Sequence, residues 1–146
     1  MYRATYEFGI FNGDKDGKDA ALSMRATVHG ADFLFKCNVD YLLAFGDLVP
    51  RFYEANLKYK SPEDACGGDI WQDIPTLLGR RFGDCKDLAC FRAAELVVKD
   101  RIDARPFVKR RFYPGGFALY HVVVMKPGGV EEDPSIALGM NPADFG

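Results

Sequence analysis

The spacing of apolar residues changes along the chain from a helical period to a strand period. Over Phe33–Leu48 apolar side chains recur at three- and four-residue steps, which predicts one amphipathic helix that Pro50 ends or kinks. The preceding stretch, from about Asp19, fits a helix only in part, and we expect Gly30 to interrupt it. A further short helix or turn is predicted over Asp69–Leu78.

Another helix is predicted from Cys85 to about Val98 or Asp100. Asp84 is a preferred N-cap residue, and Asp87 three residues later forms a variant of the capping box. Because apolar residues cover most of the circumference of this helix, we expect it to be central and buried.

Beyond this helix the pattern becomes that of strands. Three strands are predicted, over Arg105–Tyr113, Gly116–Met125 and Val130–Asp133, and the glycine-rich turns between them indicate an antiparallel meander. Helices therefore precede the sheet, which predicts an α+β fold. The opening Tyr2–Phe11 is interpreted as a strand or an extended arm.

Composition limits the class of protein without identifying it. A chain of 146 residues with 48% hydrophobic residues is expected to form one domain with a packed core. Its net charge of −2 gives no general attraction to nucleic acid or anionic membranes, and we interpret the basic run Lys109–Arg111 as a solvated edge. We expect neither a signal peptide nor a transmembrane segment. A reducing compartment is expected because the four cysteines lack the spacing of a disulfide framework: Cys37, Cys66, Cys85 and Cys90.

The run Gly83–Ala89 carries the clearest chemical signal. It places Cys85 at the start of a helix, where the N-terminal dipole should favour a thiolate. His121 follows in a strand, and Asp133 lies beyond the next turn, so the three residues occur in the order of a thiol-nucleophile triad. If the Cys85 helix packs on the face of the strand that carries His121, thiol and imidazole can meet. Antiparallel pairing of the last two strands could bring Asp133 to the other imidazole nitrogen.

Each of these residues also has a structural interpretation. Cys85 could be a buried helix-start cysteine, His121 a core histidine, and Asp133 the opening of an Asp-Pro turn. Cys90 lies about 140° round the helix from Cys85, which argues against a metal site formed by the two cysteines. We expect structural or incidental roles for Cys37, Cys66 and His29.

The runs around the three candidate residues resemble the transglutaminase-like superfamily: Gly83–Ala89, Tyr120–Val124 and Glu132–Ser135. In that family a Gly-x-Cys-x-Asp motif opens the central helix of a papain-like fold. The resemblance implies that Cys85 is the nucleophile, His121 the general base and acid, and Asp133 the residue that orients the imidazole. Softer matches resemble the small transglutaminase-like proteins of tailed bacteriophages: Asn38–Leu42, Trp71–Pro75, Arg92–Leu96 and Leu138–Met140.

The resemblance covers about residues 38–140 and divides the single domain into three parts. Residues 1–37 would form an N-terminal arm and helix, 38–140 the transglutaminase-like core, and 141–146 a tail. The family needs an oxyanion hole, to which the backbone N–H of Cys85 can supply one donor. Gln72, Trp71 and Tyr59 are the candidates for the second donor.

Two functions are compatible with these expectations. The first is a thiol-dependent peptidase, amidase or transglutaminase that acts on a protein or peptide and needs no cofactor, calcium or other metal. The second is a virion or tail-assembly protein that keeps the fold and binds partner proteins, with the aromatic arm and Phe145 as docking segments. Both place the protein in the host cytoplasm or in a virion, without nucleic-acid or membrane partners.

Overall fold

The computed structural model describes residues 18–61, 70–113 and 117–144, with the side chains of 18–23, 112–113 and 117–118 left out. The predicted arm at Tyr2–Phe11, the turn at 114–116, Cys66 and Phe145 lie outside the described residues. Within the described part, helices and two small sheets form a mixed architecture, so the predicted α+β class is confirmed.

The first helix, α1 (Lys18–Phe45), runs without a break, so the predicted interruption at Gly30 is wrong. The reason is a long-range contact. A Cβ atom on Gly30 would lie 2.8 Å from Cη2 of Trp71, so the glycine leaves room for the indole ring. On the predicted apolar face, Leu34 and Leu42 are buried as expected, whereas Leu48 is 83% exposed in the 3-10 turn that follows the helix.

The predicted short helix is α2 (Ile74–Arg80). The Asp73 carboxylate caps it by accepting a hydrogen bond from the Thr76 N–H at 3.0 Å, and Pro75 lies in its first turn as expected. The helix ends at its C-cap residue Arg81, which has a left-handed φ of 67°.

Two short strands that the sequence did not predict flank α2. They are β1 (Lys58–Tyr59) and β2 (Phe82–Gly83), which pair in parallel. The pairing fixes the chain directly before Cys85.

The central helix is α3 (Cys85–Lys99), which begins with the predicted capping box. Side chains of α3 contact two apolar clusters. Ala89 and Ala93 pack with Val122 of the main sheet, whereas Leu88 and Phe91 belong to a second cluster. The second cluster is completed by residues from the turns and from α2: Phe52, Leu57, Ile74 and Leu77. The prediction of a central, buried helix is confirmed.

The main sheet is the predicted antiparallel meander. Its strands are β3 (Arg105–Tyr113), β4 (Phe117–Lys126) and β5 (Val130–Glu132), in the order β3-β4-β5. In this register Lys109 lies opposite His121, and Val124 lies opposite Glu132. A single helical turn, α4 (Pro134–Ala137), follows β5 directly.

Two glycines in helices provide a test of the packing at Gly30. A Cβ atom added to Gly79 of α2 would have no other atom within 4 Å, whereas one on Gly30 would meet Trp71. Gly79→Ala should raise the free energy of unfolding by about 0.5–1 kcal/mol. Gly30→Ala should lower it by about 1 kcal/mol, because an overpacking cost of roughly 1–3 kcal/mol exceeds the gain in helix propensity. Urea denaturation measures both; equal stabilisation would contradict the packing argument.

Candidate active site

Cys85 is the first residue of α3 and lies two residues after the tightly packed Gly83. A Cβ atom on Gly83 would lie 3.0 Å from Cβ of Asp87, so the turn has no room for a side chain. The Asp84 carboxylate then caps the helix, and its Oδ1 accepts a hydrogen bond from the Lys86 N–H at 3.2 Å. The packing of Gly83 and the cap at Asp84 therefore fix the position of Cys85 at the start of α3.

An ion pair is buried beside the thiol. The side chains of Asp84 and Lys86 are 4% and 7% exposed and bind each other, and Lys86 Nζ lies 5.4 Å from the centroid of the Trp71 ring. Removing one member of a buried pair leaves an uncompensated charge, which is strongly destabilising. The sequence pattern identifies Asp84 only as a cap and does not identify Lys86, because a lysine so near a helix start gives no signal of burial.

The surroundings of Cys85 disfavour its thiolate. Burial, followed by the Asp84 carboxylate, raises the pKa of Cys85 to about 12, while the Val122 backbone and the Lys86 ammonium act in the opposite direction. Since only a donor stabilises a thiolate, the backbone group of Val122 is its N–H. The expectation of a depressed thiol pKa is therefore wrong in direction. Desolvation outweighs the helix dipole here.

His121 and Asp133 form the pair that the sequence predicted. Nε2 of His121 lies 2.7 Å from Oδ2 of Asp133, and the histidine is only 3% exposed. Oδ1 of Asp133 accepts hydrogen bonds from the Ser135 N–H at 3.1 Å and the Ile136 N–H at 3.3 Å. The meander creates this contact because Asp133 follows β5, which pairs with β4.

These contacts determine the protonation state of Asp133. Burial raises its pKa, but the hydrogen bonds from His121 and from the two backbone N–H groups outweigh burial and leave the pKa below its ordinary value. The carboxylate is therefore ionised at neutral pH and can only accept, so Nε2 of His121 carries the proton. Proton exchange with a thiol would then use Nδ1.

The face of β4 against which the Cys85 helix packs is not the face that carries His121. The condition set for a contact between thiol and imidazole, packing of the helix on the His121 face, is not met, because Tyr120, Val122 and Val124 share a cluster with α3 and lie on the opposite face. The Cys85 thiol instead contacts β4 through the Val122 N–H, one residue beyond His121. The structure thus places Cys85 against the strand that carries the His121–Asp133 pair.

Gln72 is occupied by structural hydrogen bonds. Its Nε2 donates to the Phe82 carbonyl and to Oδ2 of Asp87, both at 3.1 Å, and its backbone N–H donates to Oδ1 of Asp87 at 2.8 Å. Both amide hydrogens are therefore used, and Gln72 is wrong as an oxyanion donor in this arrangement. Gln72 instead links the segment just before α2 to the first turn of α3. Its buried Oε1 has no hydrogen-bond partner among the described atoms.

The other two oxyanion candidates lie in different clusters. Trp71 packs in the same cluster as Cys85, whereas the Tyr59 ring packs in the second cluster, with Leu57 and Leu77. The Tyr59 backbone is nevertheless close to the nucleophile turn, since it pairs with Gly83. Trp71 is the candidate that the packing favours.

A surface pocket of about 210 Å³ is lined by both members of the His121–Asp133 pair. Its walls carry the Lys109–Glu131 ion pair, with Nζ and Oε1 3.1 Å apart, together with His121 and Asp133. Apolar residues complete the lining: Ile136, Met140 and Pro142. Cys85 is not among the residues that line this pocket.

The remaining sequence-based assignments fit structural roles. Cys90 is buried and its thiol donates to the Ala31 carbonyl at 3.4 Å, Cys37 is half-buried, and His29 is exposed. Arg110 and Arg111 are exposed on β3, an edge strand, as expected for a solvated edge, whereas Lys109 is half-buried and pairs with Glu131 at the pocket. In the part of the chain that the structure describes, no group of three or more His, Cys, Asp or Glu side chains could hold a metal ion. In the same part, every helix is too short or too polar to cross a membrane.

No protein-family model matches this chain, and no match is found among curated proteins or solved structures. The transglutaminase-like resemblance therefore depends on the residue motifs alone. The geometry of Cys85, His121 and Asp133 is independent of that resemblance.

Asp84 offers a direct test of the electrostatics at the thiol. Asp84→Asn keeps a good N-cap but removes the carboxylate that raises the Cys85 pKa; because it also leaves the buried Lys86 ammonium unpaired, the rate is measured on a variant shown to be folded by urea denaturation. We expect Cys85 to react with iodoacetamide about tenfold faster near pH 8.5, because a shift of roughly one pKa unit changes the thiolate fraction tenfold. Site-resolved mass spectrometry measures the rate. Asp100→Asn, at the other end of α3, is the control and should leave it unchanged; no acceleration in Asp84→Asn would contradict this account.

The His121–Asp133 contact predicts a pH dependence of stability. The pKa of Asp133 is lower in the folded state, so its contribution is present above an unfolded pKa of about 3.9 and is lost as the pH falls through the folded pKa. Asp133→Asn retains the cap of α4 and removes this contribution. Wild type and variant should therefore converge in urea midpoint as the solution is acidified. A difference that stays constant with pH would contradict the assignment.

Proposed function

We propose that this protein is a thiol-dependent amide hydrolase or acyl transferase that uses Cys85, His121 and Asp133. The observation that carries the proposal is the 2.7 Å hydrogen bond from His121 to Asp133 on the strand that the Cys85 thiol contacts. An oriented imidazole on the strand next to a cysteine at a helix start is compatible with the arrangement that thiol nucleophiles use.

The raised pKa of Cys85 determines how the nucleophile would be activated. A preformed thiolate–imidazolium pair is disfavoured, so Nδ1 of His121 would take the thiol proton as sulfur attacks the carbonyl carbon. The new C–S bond leaves negative charge on the carbonyl oxygen. As the C–N bond breaks, His121 returns the proton to the departing amine and a thioester remains.

The thioester would be resolved by water or by an amine. His121 takes a proton from the attacking molecule, the C–S bond breaks, and the proton returns to the sulfur of Cys85. Water completes a peptidase or amidase reaction, and an amine completes a transglutaminase reaction. Asp133 stays ionised throughout and holds the imidazole in one tautomer and orientation.

The charge on the carbonyl oxygen needs hydrogen-bond donors. The N–H of Cys85 belongs to the first turn of α3, where backbone donors have no partner within the helix, and it can serve as the first donor. Trp71, which packs in the Cys85 cluster, is the better of the remaining candidates for the second. The motifs add the expectation of a protein or peptide substrate and of a transglutaminase-like protein of a tailed bacteriophage.

A second candidate function is that of a virion or tail-assembly protein without catalysis. Two observations favour it: the raised thiol pKa, and the apolar side chains at the end of α1, where Leu43 is 69% exposed and Leu48 83% exposed. Exposed apolar side chains in one region are typical of contact with another protein. The enzyme proposal has the stronger geometry because it accounts for the His121–Asp133 pair.

Acylation by p-nitrophenyl acetate tests the enzyme proposal without knowledge of the substrate. Wild type should form an acetyl adduct at Cys85, detected by mass spectrometry, with the other cysteines as internal controls. His121→Gln should slow its formation about 10²- to 10⁴-fold, the usual contribution of a general base. His29→Gln, at the exposed histidine of α1, is the matched control and should behave as wild type. Equal acylation in wild type and His121→Gln would exclude the mechanism and favour the assembly protein.

A further inference from the structure

Arg92 joins the helix of the nucleophile to the strand that precedes Asp133. It lies seven residues after Cys85, which places the two side chains within about 20° of each other around the helix. Its Nε donates to Oε2 of Glu132 at 2.7 Å, and its Nη1 donates to Oε1 of Glu95 at 2.7 Å. One planar guanidinium therefore holds one carboxylate on α3 and another on β5.

At the α3 end of this link, the Glu95 carboxylate is buried and fixed by hydrogen bonds. The Glu95 side chain is 1% exposed, and its Oε2 accepts a hydrogen bond from the Phe52 N–H at 2.6 Å. Arg92 is itself only 14% exposed, and it stacks with its guanidinium carbon 5.0 Å from the centroid of the Tyr53 ring. A guanidinium fixed in this way presents its remaining N–H groups in one direction.

The β5 end of the link is a carboxylate with several donors. Glu132 accepts hydrogen bonds from Arg92, from the Tyr53 hydroxyl at 2.8 Å and from Lys126 Nζ at 3.3 Å. Burial raises the pKa of Glu132, but these donors outweigh burial and leave the pKa below its ordinary value. Glu132 is therefore ionised at neutral pH and bound to Arg92.

The link matters because β5 has only three residues, and among the described side chains that bind Glu132 at its end, Arg92 is the one that ties it to α3. Glu132 is the last residue of β5 and pairs with Val124, and Asp133 follows immediately. A shift of Glu132 would carry the Asp133 carboxylate with it, away from His121. The 2.7 Å contact between Asp133 and His121 leaves little tolerance for such a shift.

We propose that Arg92 is a positioning residue, which holds Asp133 at hydrogen-bond distance from His121 by binding Glu132. The role assigned to Arg92 in catalysis rests on the proposed function, but the effect on the His121–Asp133 hydrogen bond does not. Arg92 contacts none of the three candidate catalytic side chains in the described hydrogen bonds. It acts through the backbone of β5.

The test is the imidazole proton of His121, observed by NMR with ¹⁵N-labelled protein. Wild type should show a low-field Nε2–H resonance that exchanges slowly with water, because His121 is buried and its proton is shared with the Asp133 carboxylate. In Arg92→Met the exchange rate should rise about tenfold or more, as expected when a hydrogen bond to a charged group is weakened. His121→Gln assigns the resonance by removing it.

Arg51 provides the matched control. Its guanidinium also binds carboxylates on α3, with Nη2 2.8 Å from Oδ2 of Asp100 and Nε 3.8 Å from Oε2 of Glu95, but it does not contact Glu132. Arg51→Met should lower stability without changing the His121 resonance. An unchanged resonance in folded Arg92→Met, or an equal change in both variants, would overturn the proposal. If Arg92→Met does not fold, Arg92→Lys is used under the same criteria, since one ammonium group cannot bind both carboxylates in the same geometry.

The acylation assay separates this inference from the proposed function. If Arg92→Met both loosens the His121 proton and slows acylation of Cys85 while Arg51→Met does neither, the positioning role extends to catalysis. If the resonance changes as expected but wild type forms no adduct at Cys85, positioning holds and the enzyme proposal fails.

Discussion

The hydrogen bonds of Asp87 hold together the elements that surround the nucleophile. Its carboxylate accepts from the Asp84 N–H at 3.2 Å and from both the backbone and the side chain of Gln72. These bonds join the start of α3, the turn before it and the segment that carries Trp71. Burial and the Asp84 carboxylate raise the pKa of Asp87 above its ordinary value, whereas the hydrogen bonds donated to it and the Lys86 ammonium favour the ionised form. Such a group is stable only while all its donors are present.

The parts of the fold that follow from neighbouring residues could be predicted from the sequence. Asp84 and Asp87 specify the start of α3 through a capping box, and the two glycine-rich turns specify the meander that brings Asp133 to His121. Parts of the fold that depend on contacts between residues far apart in the sequence could not be predicted. The pairing of β1 with β2 joins Lys58 to Phe82, and strands of two residues have no periodic signal.

The errors at the candidate site have the same origin. The sequence predicts a helix break at Gly30, but Trp71, far away in sequence, fills the space that the glycine leaves. The packing face of β4 cannot be read from the pattern because Val122, Val123 and Val124 are all buried, so alternation does not identify the inner face. The direction of the Cys85 pKa depends on burial, which the helix position alone does not reveal.

The neutral state of the Cys85 thiol has a consequence for oxidation. Peroxide and disulfides react with thiolates, and the rate follows the fraction of ionised sulfur and its access to solvent. A desolvated thiol whose pKa is raised to about 12 offers very little thiolate at neutral pH. We therefore expect the half-buried Cys85 to form sulfenic acid slowly while no substrate is bound. A nucleophile stored in this form can remain intact under oxidising conditions that would inactivate a cysteine held as a permanent ion pair.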